Sequence, residues 1–285
     1  MSFTLTGNGN PTDLIDALLP SSGSIQYQNP ILVGDSQCAA LFSGGKAAVP
    51  DAFIDFPDHG LVLSSGIATH LLDQDSESTT TNFGNPGDAD LLPDNSTDTS
   101  FDACTLEFEF KCTTSTELGY LGIKYVFASD EYKEYSSSRF KDRFALLLND
   151  EDIATLPSTT TGVSIDTVNQ DVNPEYFVSN SPVNDPSAVV YPSFEADGFT
   201  LTLTAFGKIT EGWNTMKLGV TDVSDSAWDS WVILEQGGFD CFEDTPPPAT
   251  LPPRPASTPA PTPAPTDQTP TVSGGGMIPI LNMRC

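Results

Sequence analysis

Acidic side chains are concentrated between apolar runs in two stretches of the chain. The first stretch, 125–148, reads YVFASDEYKEYSSSRFKDRFALLL, and the second, 221–239, reads TDVSDSAWDSWVILEQGGF. The acidic residues of interest are Asp130, Glu131, Glu134, Asp142, Asp222, Asp225 and Asp229. Two carboxylates held ~5 Å apart repel each other by roughly 3 kcal/mol at an effective dielectric constant of about 20. A fold that gathers these groups must therefore supply solvent, a basic partner or a cation.

Calcium is the cation that suits such a set of oxygens. It takes about six to eight oxygen ligands in loose geometry, and Asp and Glu side chains on strand ends and loops supply them. The second acidic stretch lies between a predicted strand and the next apolar run, where loop ligands normally lie. The sequence therefore predicts calcium as a cofactor. The predicted ligands are Asp130, Glu131, Asp142, Asp222, Asp225 and Asp229.

Two other interpretations of the same carboxylates stay open. Basic residues in or directly before the first stretch could neutralise them in an ordinary ion-pair network; these are Lys124, Lys133, Arg139, Lys141 and Arg143. A glycosidase-like pair could instead use Glu131 or Glu134 with an Asp across a cleft. No G-x-S-x-G, H-E-x-x-H or P-loop motif occurs, and neither His59 nor His70 has a recognisable nucleophile or ligand partner nearby.

Aromatic side chains accompany the acidic stretches. Aromatic faces present apolar area with polar edges, so these rings could form a platform on which a sugar stacks. Tyr132 and Trp228 are the predicted ligand-binding residues, although most rings of a β-sandwich belong to its core. Asn95 begins an Asn-Ser-Thr sequon and is the predicted glycosylation site, provided that the chain is secreted.

The net charge of -28 excludes some partners. Such a field repels nucleic acid and anionic membranes, whereas it attracts divalent cations. No run of 18 apolar residues occurs, so no transmembrane helix is predicted. The start of the chain shows neither a basic nor an apolar signal-peptide region, yet the other features are typical of extracellular proteins. An extracellular or cell-surface location is predicted, with a glycan or matrix component as partner.

The five cysteines are too few for a disulfide scaffold, and none forms a C-x-x-C pair that would indicate a metal-thiolate site. Cys104 and Cys112 lie on one predicted strand, about 26 Å apart at ~3.3 Å per residue, so they cannot bridge to each other. Cys38 and Cys241 are free to pair across the fold. The odd total leaves one thiol over.

Alternating apolar residues predict an all-β fold, a two-sheet, jelly-roll-like β-sandwich. A short amphipathic helix is predicted at 11–19. After residue 242 the composition changes, and 246–270 holds 11 prolines in 25 residues, which is typical of an extended, disordered stalk. The predicted divisions are an N-terminal extension (1–10), the sandwich (11–242) and a Pro/Thr-rich stalk and tail (243–285).

Ordered blocks of sequence resemble the choice-of-anchor L domain family, a module of microbial surface proteins. The central block holds VFASDEYKEY followed by FKDRF, within 125–144, and the closing block is 221–239. The other matching blocks are 12–19, 60–66 (GLVLSSG), 87–110 (ending LEFEF), 153–169 (IATLPSTTTGVSIDTVN) and 197–205 (DGFTLTLTA). Together they span roughly 11–239. The resemblance implies a secreted or surface-displayed β-rich domain and implies little about activity.

These observations predict a non-enzymatic extracellular or cell-surface module for adhesion or matrix association. The module is expected to be stabilised by calcium and to bind glycan. Two alternatives remain at this stage. One is a carbohydrate-active enzyme that uses a carboxylate pair, and the other is a purely structural wall or matrix protein.

Overall fold

The structure of the chain is a computed structural model. It describes residues 2–72, 79–93, 96–113, 119–136, 138, 140, 142–183, 185–186 and 188–243. Three sets of predictions fall outside these residues: the glycosylation site Asn95, the basic residues Arg139 and Lys141, and the stalk and tail beyond residue 243.

The described chain contains thirteen strands, two helices and three short 3-10 turns. The strands are β1 (Thr4–Gly7), β2 (Ile25–Val33), β3 (Ala39–Ser43), β4 (His59–Ser64), β5 (Ser100–Cys112), β6 (Tyr120–Ser129), β7 (Arg143–Leu148), β8 (Glu151–Asp152), β9 (Phe177–Ser179), β10 (Gly198–Thr200), β11 (Leu203–Lys208), β12 (Asn214–Val223) and β13 (Ser230–Phe242). The helices are α1 (Pro11–Leu18) and α2 (Gly45–Ala48), and the 3-10 turns are Ala68–Leu72, Ala89–Leu91 and Pro174–Tyr176.

The strands form two antiparallel sheets. The larger sheet has the order β1-β3-β4-β13-β6-β10-β9, with β11 also paired to β6, and the smaller has the order β2-β5-β12-β7-β8. The predicted all-β, two-sheet sandwich is confirmed. Strands β6 and β13 lie at the centre of the larger sheet, and β12 lies at the centre of the smaller one.

Hydrophobic periodicity explains which strands are central. In β5, Leu106, Phe108 and Phe110 are buried between the sheets, as the alternating pattern predicts. Strand β13 is apolar on both faces because Val232 faces the core between the sheets, whereas Trp231 belongs to a second cluster. That second cluster also contains side chains from loops that cover the outer side of the larger sheet.

The N-terminal helix matches its prediction closely. In α1, Leu14, Ile15 and Leu18 are fully buried, and the Asn10 side chain caps the helix by accepting a hydrogen bond from Thr12 N–H at 3.1 Å. Strand β1 lies within the stretch predicted as an extension and pairs with β3. The larger sheet therefore includes residues before position 11.

Residues 199–206 alternate between apolar residues and threonine, a pattern that predicts one strand, but they belong to two strands in the structure. Strands β10 and β11 both pair with β6, but their registers differ by one residue. Thr200 Oγ1 accepts a hydrogen bond from Phe127 N–H at 3.1 Å, which takes the place of a regular backbone pair. The interruption is a local bulge in an otherwise continuous pairing.

Two disulfides join the sheets. Cys38, directly before β3, bonds to Cys104 on β5, and Cys112 at the end of β5 bonds to Cys241 on β13. The prediction that Cys104 and Cys112 do not bridge to each other is confirmed, because each is bonded to a different cysteine. Each bridge connects the smaller sheet to an element of the larger one, at two places along the same long strand.

Candidate functional site

Four of the predicted acidic residues lie at the same end of the sandwich. Asp130 directly follows β6 and Asp229 directly precedes β13, and these two strands pair through Ser129 and Ser230. Asp142 directly precedes β7, and Asp222 lies near the end of β12. Because β7 and β12 also pair at this end of the smaller sheet, all four carboxyl groups are brought to one edge of the interior.

Strand β12 has an irregularity at the acidic residue it contributes. The pairing of β12 with β5 shifts register between Val220 and Asp222. A bulge of this kind redirects the side chains that follow it. Asp222 is fully buried, although strict alternation would not favour a carboxylate in the interior.

Hydrogen bonds connect the carboxyl groups of the cluster directly to the backbone around it. Glu131 Oε2 accepts a hydrogen bond from Asp142 N–H at 3.3 Å. Asp142 Oδ1 accepts from Val223 N–H at 3.1 Å, and its Oδ2 accepts from the Ser230 hydroxyl at 2.8 Å. Elements of both sheets are thus joined through one buried side chain.

A second set of bonds holds an extended segment across this end of the sandwich. Asp130 Oδ2 accepts a hydrogen bond from Thr79 N–H at 2.7 Å. Asp229 accepts two bonds from Thr81, one from its N–H at 2.7 Å and one from its hydroxyl at 2.9 Å. We call residues 79–85 the strap, because alternate backbone N–H groups along it donate to buried carboxylates.

Two members of this network were not among the predicted site residues. Asp102 accepts hydrogen bonds from Phe83 N–H at 3.1 Å and Asn85 N–H at 2.6 Å, which continues the alternation along the strap. Glu195 accepts from the Thr79 hydroxyl at 2.7 Å. In the sequence, Asp102 lies two residues before Cys104 on the predicted strand. This position next to an apolar run was the one feature of the sequence that could have indicated a site residue.

Several oxygens of the cluster lack hydrogen bonds. Asp130 Oδ1, Glu131 Oε1 and both oxygens of Asp222 are buried, and among the described residues none has a hydrogen-bond partner of normal geometry. The Ser65 hydroxyl and the Asp142 carboxyl both lie near Asp222. The Ser65 hydroxyl lowers the pKa of Asp222 and the Asp222 carboxyl lowers the pKa of Asp142, but in each case burial raises the pKa by more. Unpartnered buried carboxylate oxygens are costly, so this arrangement requires neutralisation.

Burial raises the pKa of five carboxyl groups of the cluster, which belong to Asp130, Glu131, Asp142, Asp222 and Asp229. Burial and then the charge of Asp142 raise the pKa values of Glu131 and Asp222, while burial alone is the chief cause for Asp142. Burial and neighbouring carboxylates raise the pKa of Asp130, and burial raises the pKa of Asp229 to about 7. Each rise has the sign expected when like charges are gathered in a poorly solvated interior.

Basic side chains in the described part of the chain form their ion pairs elsewhere. Lys124 pairs with Glu235, Lys133 with Asp185, and Arg143 with Asp152. Within the described residues, no ion pair involves Asp130, Glu131, Asp142, Asp222 or Asp229. The ion-pair interpretation therefore has no support from Lys124, Lys133 and Arg143, the three of the five proposed basic partners that the structure describes.

Asp225 and Glu134 lie nearer the surface than the others. Asp225 is half-buried, its Oδ1 accepts a hydrogen bond from Ala227 N–H at 3.3 Å, and its charge helps to raise the pKa values of Glu131 and Asp142. Glu134 is exposed. Among the described His, Cys, Asp and Glu side chains, no three are already arranged to hold a metal ion.

The two predicted ligand-binding aromatics have different surroundings. Tyr132 is fully buried, with its ring 4.8 Å from that of Phe177. The prediction that it offers an exposed binding face is wrong, because the turn after β6 directs its ring into the core. Trp228 is half-buried, and its ring lies 4.4 Å from that of Tyr135 at an interplanar angle of 35°.

Fold and site together define a disulfide-bonded, acidic β-sandwich module with a carboxylate cluster at one end. Residues 4–240 match the family model of the choice-of-anchor L domain, and the chain belongs to this family. It is therefore a surface-associated module, which places it at the cell surface or outside the cell among extracellular partners. No curated protein and no solved structure matches the chain. None of the helices described in the structure has the length and apolar character needed to span a membrane.

Proposed function

We propose that this chain is a non-enzymatic module for adhesion or matrix association, that calcium stabilises it, and that it binds a glycan. One observation supports the proposal most. Five buried carboxyl groups meet at one end of the sandwich, they form no ion pair with a described basic residue, and several of their oxygens lack hydrogen bonds. Those five groups are Asp130, Glu131, Asp142, Asp222 and Asp229.

Calcium would relieve both the repulsion between the buried carboxylates and the lack of hydrogen bonds to their oxygens. The charge of a calcium ion offsets the repulsion between the carboxylates. Calcium also accepts irregular coordination by a mixture of side-chain, backbone and water oxygens. The oxygens without hydrogen bonds belong to Asp130, Glu131 and Asp222 and are the first candidates as ligands. Because no three acidic side chains in the described chain are set around one point, calcium binding requires them to turn toward one another.

The burial of Glu131 supports a non-enzymatic role. A glycosidase places both of its carboxyl groups beside the scissile bond, on opposite sides of the sugar. Glu131 has no exposed surface, and Asp142 beside it is 1% exposed. A polysaccharide cannot reach these groups without opening the end of the sandwich. The carboxylates therefore suit a structural or ion-binding role better than hydrolysis.

Thermal unfolding of the full chain tests the calcium part of the proposal. We expect the Tm in chelator to rise when calcium is added to 10 mM. For a site with a Kd of ~0.1–1 mM, this concentration adds roughly 1.4–2.7 kcal/mol of stability. The rise should be lost in Asp222→Asn and Asp130→Ala and kept in Asp171→Asn, an exposed acidic residue away from the cluster.

Magnesium at the same concentration is the matched ion control. It is smaller and demands near-octahedral geometry, so it should raise the Tm less than calcium does. No calcium-dependent rise at 10 mM, or an equal rise in Asp222→Asn, would overturn the calcium assignment. The adhesion part of the proposal is tested separately, by measuring whether the chain binds to a glycan array and to immobilised extracellular matrix preparations. Absence of binding to both would overturn it.

A further inference from the structure

We infer that Trp228 and Tyr135 form a sugar-stacking platform selective for polysaccharides of amino sugars with free ammonium groups. This inference rests on the proposed glycan binding and specifies both its site and its ligand class. Both rings are half-buried and pack against each other with centroids 4.4 Å apart, and Trp228 directly precedes Asp229 of the carboxylate cluster. Tyr135 packs against the core, and Phe140 meets it edge-on with ring centroids 5.5 Å apart.

The backbone at Trp228 adopts a strained conformation. Its φ is +59°, in the left-handed region that glycine adopts freely and bulky residues rarely do. A non-glycine residue held in this region is strained, and such positions cluster at functional sites. A glycine or asparagine would form the same turn with less strain. The choice of tryptophan here indicates that its side chain has a use beyond forming the turn.

The loop that carries Trp228 is held rigidly. Trp228 N–H donates to Thr80 Oγ1 at 3.0 Å, and the next residue, Asp229, donates its N–H to the Thr79 carbonyl at 2.8 Å. Ser224, at the other end of the loop, donates its N–H to the Thr99 carbonyl at 2.8 Å. The backbone of the loop is thus ordered and the Trp228 ring packs on Tyr135 before any ligand arrives, which lowers the conformational entropy lost on binding.

The charge of the surroundings selects the ligand. A sugar ring stacks its apolar C–H face on an aromatic ring, and an ammonium group is attracted both to the face of an indole and to a carboxylate. Asp225, three residues from Trp228, is half-buried, with one carboxylate oxygen held by Ala227 N–H. The net charge of -28 also attracts a cationic polymer and repels uronic or sulfated ones.

Binding of four oligosaccharides by calorimetry tests this inference with the full chain. The probes are the hexamer of glucosamine, the hexamer of N-acetylglucosamine, the hexamer of glucose and an oligogalacturonate. We expect the glucosamine hexamer to bind at least tenfold more tightly than the two uncharged hexamers and the oligogalacturonate not to bind. Equal affinity for the three hexamers would overturn the ammonium selectivity while leaving glycan binding in place.

Variants separate the platform from general attraction between opposite charges. Trp228→Ala and Tyr135→Ala should each weaken glucosamine-hexamer binding at least tenfold. Trp213→Ala removes a different indole, which is 41% exposed in the turn before β12, and should leave binding unchanged. Trp228→Gly keeps the experiment decisive if alanine disturbs the loop, because glycine relieves the strained backbone and preserves the fold.

The results that would overturn the stacking platform differ from those that would overturn the proposed glycan binding or calcium stabilisation. A Trp213→Ala loss equal to that of Trp228→Ala, or full binding by a folded Trp228→Gly variant, overturns the platform. Absence of binding to every hexamer overturns the inference together with glycan binding, but the calcium-dependent Tm is measured independently and decides that part of the proposed function by itself. Asp225→Asn should reduce the preference for the ammonium form, whereas Asp171→Asn should not.

Discussion

Glu131 and Asp142 are joined by a hydrogen bond in which the carboxylate of one accepts the backbone N–H of the other, at 3.3 Å. Both side chains are buried, and each residue stands at the end of a strand in a different sheet. This contact connects the two sheets at the edge where the carboxylates gather. Any ion or proton that neutralises one group lowers the cost of burying the other, because they share the same poorly solvated space.

The stability of the metal-free chain should fall as the pH rises from 5 to 8. Asp229 has a pKa of about 7 in the folded chain, against about 3.9 for an unfolded aspartate. Between these values the folded state binds a proton that the unfolded state does not, so raising the pH favours unfolding. Between pH 5 and 8 the free energy of unfolding should therefore fall by ~2–3 kcal/mol, which corresponds to a Tm lower by roughly 5–10 °C.

Thermal unfolding in chelator across this pH range checks the expectation. The slope should be shallower in Asp229→Asn, which cannot ionise, and unchanged in Asp171→Asn, which is exposed. Saturating calcium should also flatten the slope, because it stabilises the ionised form. A Tm that is constant or increases between pH 5 and 8 without metal would contradict the assignment of raised pKa values.

Gly66 provides a steric test of the same cluster. A Cβ at this position would lie 1.9 Å from Asp229 Oδ2, so Gly66→Ala must displace the carboxylate from the strap. We expect a loss of ~2–4 kcal/mol from overpacking and broken hydrogen bonds, measured by denaturant unfolding. Gly7→Ala is the matched control, because its Cβ would meet nothing within 4 Å. Equal stability of the two variants would show that Asp229 does not occupy this place.

Much of the sandwich could be predicted from the sequence because its strands follow the simple two-residue rhythm of a half-buried surface. Leu106, Phe108 and Phe110 alternate with charged residues, and the structure buries all three. Helix α1 could also be predicted, because a proline at its start, an Asn cap and three apolar residues on one face all favour a helix here. In these elements local pattern and tertiary packing favour the same conformation.

The site was less predictable, since it depends on which ends of distant strands meet. The two acidic stretches could be seen to need neutralisation, but no local pattern could show that the strap closes over them. Asp102 was missed for this reason, because its partners Phe83 and Asn85 lie across a loop. Tyr132 was misjudged because a turn, which no periodicity describes, sets the direction of its ring.

The two disulfides should contribute strongly to stability. Replacing both cysteines of the Cys38–Cys104 bridge, or both of the Cys112–Cys241 bridge, with serine should cost ~2–5 kcal/mol. The bridges close loops of 66 and 129 residues, so the loop-entropy model predicts a loss about 0.6 kcal/mol larger for the second. Denaturant unfolding measures both losses, and peptide mapping without reduction identifies the pairs.

The fifth cysteine is the control for this experiment. The two bridges use the other four cysteines of the sequence, so Cys285→Ser should leave the Tm unchanged. Recovery of a Cys104–Cys112 peptide, or wild-type stability after loss of either bridge, would contradict the disulfide arrangement.

Removing the Thr81 hydroxyl should weaken the strap and make the cluster more accessible. Thr81→Val keeps the backbone N–H that donates to Asp229 Oδ1 but loses the hydroxyl that donates to Oδ2 at 2.9 Å. Losing a hydrogen bond to a charged or partly charged group costs about 1.5–3 kcal/mol, and valine matches threonine in shape. Hydrogen exchange should therefore speed up at the amides of residues 79, 81, 83 and 85 more than in the central strands.

Thr4→Val, which removes an exposed hydroxyl from β1, should leave these amides unchanged. If the strap amides instead exchange at the wild-type rate in Thr81→Val, the second bond to Asp229 contributes nothing to closing this end of the sandwich.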